Sequence, residues 1–156
     1  MANKSGKIGT ATATAVCKAF IRHGFPYAER RDETQPDQGD VAGMIGVAVQ
    51  IKGGRTAEDA SLNQIRRWLN ATEDQREAAR ADVGILVTKA HGIGDPNADY
   101  WWCYMFGSTY DTIISSGFSF ATSQIILRMT LCEAAYLLRA HGWGEPLAAD
   151  DVGPWL

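Results

Sequence analysis

Residues 39–54, Gly39-Asp40-Val41-Ala42-Gly43-Met44-Ile45-Gly46-Val47-Ala48-Val49-Gln50-Ile51-Lys52-Gly53-Gly54, constrain the fold of this chain more than any other stretch. Two short apolar runs of strand-forming character are joined across Ile45-Gly46, and only Asp40, Gln50 and Lys52 interrupt them. The pattern predicts an antiparallel hairpin over Asp40–Met44 and Val47–Lys52 with Ile45 near its turn. In that register Asp40 falls roughly opposite Gln50, and cross-strand Cβ atoms lie about 4.5–5.5 Å apart. Alternation places Lys52 on the same face as Gln50. A carboxylate, an amide oxygen and an ammonium then converge, a set suited to holding a divalent cation beside a phosphate. An ordinary half-exposed strand is the competing explanation. Against it, a solvated edge usually carries several charges, whereas this face carries one amide and one Lys. Gly39, Gly53 and Gly54 flank the run and suggest close approach of backbone to a bulky ligand, or strand ends.

The arrangement of an acid on one strand and Gln50-Ile51-Lys52 on the next resembles the PD-(D/E)XK nucleases. In that family an acid-x-Lys element stands where this chain has Gln-x-Lys, a form similar to the variant of Mrr-type restriction endonuclease domains. The resemblance implies Mg²⁺, with Mn²⁺ as an alternative, held by Asp40, the Gln50 carbonyl and the Ile51 backbone carbonyl. Catalytic roles then fall to Glu29, Asp40, Gln50 and Lys52. A neutral amide holds a hard cation less strongly than a carboxylate, so a further acid is expected. Glu29, on the strand expected over Tyr27–Arg31, is the first choice, and Asp32, Glu33 and Asp37 compete with it. Asp37 follows Pro36 in a polar run of loop composition, which favours Asp40 as the strand acid.

Lys7-Ile8-Gly9-Thr10, an N-terminal helix, the His23-Gly24-Phe25 turn and the Gly39-Asp40-Val41 hairpin are similar to phage-encoded Holliday junction resolvases. This likeness covers most of the chain. It implies cleavage of branched DNA by a C2 homodimer, in the cytoplasm of the host if the chain is phage-encoded. Where such resolvases often carry a Glu on the first helix, this chain has Ala11-Thr12-Ala13-Thr14-Ala15. That departure shifts metal binding to Glu29 and Asp40. An Mrr-like or general endonuclease acting on linear DNA, a single-strand or RNA-directed nuclease, and an inactive DNA-binding relative are the alternatives.

With 156 residues, 46% of them hydrophobic, the chain fits one domain over 1–156 with a sizeable core. No apolar run reaches membrane-spanning length and the N-terminus lacks a signal-peptide core, so a cytoplasmic protein without membrane contact is expected. Cys17, Cys103 and Cys132 are spaced for neither zinc nor pairing and read as reduced core residues. The net charge of −3 runs against a nucleic-acid role, yet it is unevenly spread. Residues 1–70 carry ten Lys or Arg and seven Asp or Glu, net +3, whereas residues 71–156 carry five and eleven, net −6. The basic half contains the candidate site, with Lys7, Arg30, Arg31 and Arg55 as its DNA-binding candidates. His23, His91 and His141 each adjoin a Gly near an expected element end and have no ligand-like spacing.

Elsewhere the pattern predicts a helix over Thr10–His23, a long helix over Ala57–Ala81 and a buried strand over Val83–Thr88. An aromatic strand over Tyr100–Phe106, a strand over Ser123–Met129 and a closing helix after a Thr130/Glu133 capping box complete the reading. Trp143 and Trp155 are expected to dock on the core. The order is that of an α/β fold with a restriction-endonuclease-like αβββαβ core, a mixed central β-sheet flanked by helices.

Overall fold

A computed structural model describes residues 4–32, 37–114 and 124–151 of the chain, and the side chains of 4–8 are outside that set. The first helix, α1 (Lys4–Arg22), begins one and a half turns earlier than expected and buries Val16, Ala19 and Phe20. Two very short strands follow. β1 (Glu29–Arg30) and β2 (Val41–Ala42) pair antiparallel, Glu29 opposite Ala42 and Arg30 opposite Val41. The chain then turns between Met44 and Val47, where the Val47 N–H donates to the Met44 carbonyl at 3.1 Å. β3 (Val47–Lys52) emerges from that turn as a strand of a separate four-stranded sheet.

The hairpin therefore needs a correction. Its turn sits at Ile45-Gly46 as expected, but β2 and β3 do not form an antiparallel ladder. β3 takes β4 (Val83–Thr88) as its ladder partner instead, parallel, from Val47 against Val83 to Lys52 against Thr88. β4 is buried along its whole length, and the outer, short β1–β2 pair leaves the continuous ladder to the longer, more apolar strands. β5 (Trp102–Phe106) and β6 (Ile126–Thr130) extend the sheet antiparallel, in the order β3-β4-β5-β6.

Between β3 and β4 the expected single helix is two. α2 (Gly54–Glu58) ends at Asp59, and α3 (Leu62–Ala79) starts afresh at Ser61, whose hydroxyl accepts from the Gln64 N–H. An N-cap of this kind satisfies an otherwise orphan donor and opens a new helix. A 3-10 helix over Asp95–Tyr100 precedes β5, which shortens the aromatic strand at its start. A helix with no counterpart in the sequence reading, α4 (Gly107–Ile114), follows β5. The closing helix α5 (Leu131–Ala140) starts where expected, with the Thr130/Glu133 capping box formed in both directions. Trp143 packs against the core and donates its indole N–H to Asp82. Glu33, Pro36, Ser115–Gly117 and Trp155 lie outside the described residues.

The result is a mixed α/β fold with a four-stranded sheet flanked by helices. Alternation along the strands splits the core in two. Val47, Val49, Val83, Ile85, Val87, Cys103 and Met105 share one apolar cluster with Val16 and Phe20 of α1 and Leu131, Ala134 and Leu138 of α5. On the opposite face Leu86 and Phe106 meet Ile65 and Leu69 of α3 in a much smaller cluster. Cys17, Cys103 and Cys132 are buried free thiols, as expected. Burial pushes the Cys17 thiol up to about 11 and the Cys103 thiol to about 12, so both are inert near neutral pH.

Candidate metal and phosphate site

Asp40 replaces the missing ladder between β2 and β3. Its N–H donates to the Val49 carbonyl at 2.7 Å, and its Oδ2 accepts from the Ile51 N–H, also at 2.7 Å. Its own carbonyl accepts from the Arg31 N–H at 2.9 Å. One residue thus ties the edge of β3 to the outer β1–β2 pair. Gly39 makes this approach feasible, because a Cβ there would sit 2.9 Å from the Val49 carbonyl oxygen and its φ of +99° suits only glycine. Gly53 has the same purpose on the other side of β3, where a Cβ would collide with Thr12 of α1. These two glycines serve close packing of the chain on itself.

The Asp40 carboxylate is half-buried, and burial raises its pKa above the ordinary carboxylate range. The Ile51 N–H and Lys52 oppose the rise, and Asp37 adds to it. Asp40 therefore lies within electrostatic reach of Lys52. It flanks Gln50 from the Val49 and Ile51 positions.

Gln50 and Lys52 point to the α3 face of the sheet. Gln50 is buried, and its Oε1 accepts from the Thr72 hydroxyl of α3 at 2.8 Å. The Lys52 ammonium stands 5.7 Å from the centre of the Trp68 ring, a cation–π contact that positions it at the carboxyl end of β3. One turn beyond Thr72, Gln75 donates to Asp37 Oδ2 at 2.8 Å, while Asp37 Oδ1 accepts from the Gly39 N–H. Asp37 is thereby a fastener of the segment leading into Asp40.

Trp68, Thr72 and Gln75 are site residues that the sequence reading missed. Their signal was visible: Ile65, Leu69, Thr72 and Gln75 recur at helical spacing, so two polar side chains lie on a stripe that otherwise faces the sheet.

Glu29 lies on exposed β1. Its neighbour across the β1–β2 pair is Ala42, and no hydrogen bond ties it to Asp40, Gln50 or Lys52 among the described residues. Among the described residues, no group of three or more His, Cys, Asp or Glu gathers where a metal ion would sit. Asp32 is exposed and Glu33 is not described.

The basic candidates divide. Arg30 is exposed and reaches Thr10 on α1 at 3.2 Å; Arg55 is exposed in the first turn of α2, just beyond Lys52. Arg31 turns inward, donating to the Gln38 side chain and to the Val41 carbonyl, so it braces the Asp40 segment. Lys7 is on α1 with its side chain outside the described set. His23 pairs with Asp99 at 3.2 Å alongside Arg22, His91 is exposed 3.7 Å from Glu58, and His141 is exposed. None of them joins the candidate site.

A cleft of about 730 Å³, lined by Phe25, Tyr27, Ile45, Asp82 and Trp143 among others, opens at the opposite end of the sheet, where β3 and β4 begin. None of Glu29, Asp40, Gln50 and Lys52 lines it. The candidate residues Gln50 and Lys52 lie toward the other end, the carboxyl end of β3, where α/β sheets tend to place ligands.

Comparisons with protein-family models, with curated proteins and with solved structures find no match for this chain. Among the described residues, no helix is long and apolar enough to cross a membrane.

Proposed function

We propose that the chain is a metal-dependent endodeoxyribonuclease of the PD-(D/E)XK type, with a restriction-endonuclease-like fold, that hydrolyses phosphodiester bonds in branched DNA as a homodimer. The observation that supports this reading best is the Asp40 carboxylate bonded to the Ile51 N–H, in the middle of Gln50-Ile51-Lys52. It sets an acid, an amide and an ammonium around the carboxyl end of one strand.

The donor set suits Mg²⁺, which keeps several waters and commonly takes only one or two carboxylates from a protein. Asp40, the Gln50 carbonyl and the Ile51 backbone carbonyl would hold it, with Glu29 as the further acid. When bound, the cation supplies Lewis-acid polarisation of the scissile phosphate and a lowered pKa for water. Asp40 contributes a half-buried negative charge that burial makes costly alone and that a divalent cation would neutralise. Lys52, steered by Trp68, orients the attacking water or stabilises charge developing on the phosphate. Arg30 and Arg55, exposed on either side of the Asp40 and Lys52 positions in sequence, would contact backbone phosphates and make binding salt-dependent.

A second reading, a DNA-binding relative without cleavage, is favoured by the single half-buried carboxylate at the site and the absence of a three-ligand acidic cluster among the described residues. Incubating purified protein with four-way-junction, linear duplex and single-stranded DNA, in Mg²⁺ or EDTA, separates the readings. Metal-dependent nicking of the junction that Asp40→Ala abolishes is the expected result. Cleavage of linear duplex points to a general or Mrr-like endonuclease, and binding without cutting in either condition to the inactive relative.

A further inference from the structure

The cleft at the amino ends of β3 and β4 is separate from the candidate nuclease residues. Its volume of about 730 Å³ falls within the range of sites that bind organic groups, roughly 300–1,000 Å³. Its walls come from four segments that hydrogen bonds fasten to one another. The Glu145 N–H donates to the Gly24 carbonyl at 2.8 Å, next to Phe25, and the Asp82 N–H donates to the Gly46 carbonyl at 2.9 Å. The Trp143 indole N–H donates to Asp82 Oδ2 at 3.0 Å, and the Arg139 Nε–H donates to the Glu145 carbonyl at 2.8 Å. Gly43 lets the turn after β2 close on the Tyr27 backbone, since a Cβ at its φ of +82° would run into the Tyr27 carbonyl. The cleft is therefore built before any ligand arrives, which lowers the ordering cost of binding.

Phe25, Tyr27, Ile45 and Trp143 give the cleft apolar and aromatic walls. Tyr27 and Ile45 are 79% and 91% exposed, the two most exposed large hydrophobic side chains among the described residues. Apolar groups gathered in water mark contact surfaces. The charged lining side chains are Asp82 and Glu145, both exposed; His141 is also on the wall, and among the described residues no Lys or Arg is. Arg139 adjoins the Glu145 wall, but its guanidinium is engaged by the Glu145 and Pro146 carbonyls and by Asp151. We propose that this cleft docks a basic segment of a partner protein, one in which Lys or Arg side chains alternate with apolar ones. The carboxylates pair with its cations, the aromatic faces take an Arg plane or an ammonium, and its apolar side chains cover Tyr27 and Ile45. Because Tyr27 and Ile45 line the cleft and yet stand so far into water, they form its rim, which a passing chain covers and a small cation inside does not. Charge argues against the other occupants: a second copy across a two-fold axis, or a phosphate backbone, would set like charges against Asp82 and Glu145. The docking stands whether or not the Asp40 end of the molecule cleaves DNA.

The test follows the Trp143 indole N–H signal in NMR spectra of the full chain, identified as the one absent from Trp143→Phe. Eight-residue peptides in which leucine alternates with arginine, serine or glutamate are the probes. The arginine peptide is expected to shift the signal saturably, with affinity falling as salt rises from about 50 to about 500 mM. The double variant Asp82→Asn, Glu145→Gln, which keeps both shapes and an acceptor for Trp143, is expected to bind it about fivefold more weakly. Ile45→Ser is expected to weaken binding about tenfold. No saturable shift with the arginine peptide, or equal binding of the serine or glutamate peptide, would overturn the proposal. Argininamide alone binding as tightly as the peptide would make this a small-cation site and overturn it too. A shift produced by single-stranded DNA would do the same, as would a signal that moves with protein concentration in wild type and not in Ile45→Ser, which would seat a second copy in the cleft. If a variant fails to fold, the peptide and salt comparisons on the wild-type protein still decide the outcome.

Discussion

The two faces of the four-stranded sheet are built from different materials. Toward α1 and α5 the contact is almost wholly apolar, with Val16, Phe20, Val49, Ile85, Met105 and Leu138 closed into one large cluster. Toward α3 the apolar cluster shrinks to Ile65, Leu69, Leu86 and Phe106, and buried Gln50, Thr72, Gln75 and Thr88 occupy the remainder. Apolar burial stabilises without direction, whereas buried polar groups must be paired one by one and cost free energy when they are not. The comparison teaches that one side of this sheet carries the fold and the other sacrifices cohesion to hold polar side chains in set orientations. Of the candidate site, Gln50 and Lys52 point to the second side.

The sharpest break of that contrast is Lys52→Ala. Cleavage of the preferred DNA substrate is expected to fall about 10³-fold, equivalent to about 4 kcal/mol of transition-state stabilisation, while the melting temperature changes little. Steady-state cleavage and thermal melts on the same preparation check both halves. The mirror-image substitution is Leu138→Ala on the apolar face. It removes a fully buried side chain and is expected to cost about 2–5 kcal/mol of stability, read by urea unfolding, with cleavage per folded molecule preserved.

A smaller effect should come from Asp40→Asn. Burial raises the Asp40 pKa, so the folded chain binds this proton more tightly than the unfolded chain does. Stability contributed by the protonated form is then present below the ordinary carboxylate range and declines as pH rises from that range through the raised pKa. At neutral pH Asp40→Asn is therefore expected to melt higher than wild type, each kcal/mol appearing as roughly 2–4 °C in a domain of this size. The difference should vanish in acid. Mg²⁺ should raise the melting temperature of wild type and not of the variant, and melts at several pH values with and without EDTA measure both.

Much of the architecture was legible because strong patterns coincide with strong physics. β4 was readable to the residue, since an unbroken apolar run bounded by polar residues has only a fully buried strand to become. The Thr130/Glu133 capping box announced α5 in the same way. Harder to see were features in which tertiary contacts override local preference. α4 starts with Gly107-Ser108 and is rich in β-branched residues, so its sequence favours other states, and packing of Ile113 into the apolar cluster supports the helix. Ser61 was a readable break in the long helix, overlooked because apolar spacing continued across it. For the candidate site, Asp40, Gln50 and Lys52 were singled out by alternation and proximity in sequence. Trp68 and Thr72 reach Lys52 and Gln50 only through the crossover, Gln75 reaches Asp37, and Arg31, expected as a phosphate contact, makes inward hydrogen bonds.

The parallel pairing of β3 with β4 also bears on the order in which the molecule is made. Val47 cannot meet Val83 until α2 and α3 have been laid between them, so this ladder closes a long loop and its entropic cost precedes its reward. Gln50 and Lys52 sit on the strand that waits, and Thr72 and Trp68 sit on the helix that must dock first. The candidate site is consequently among the last parts to assemble, and a chain still folding exposes Gln50 and Lys52 before Thr72 and Trp68 are there to hold them.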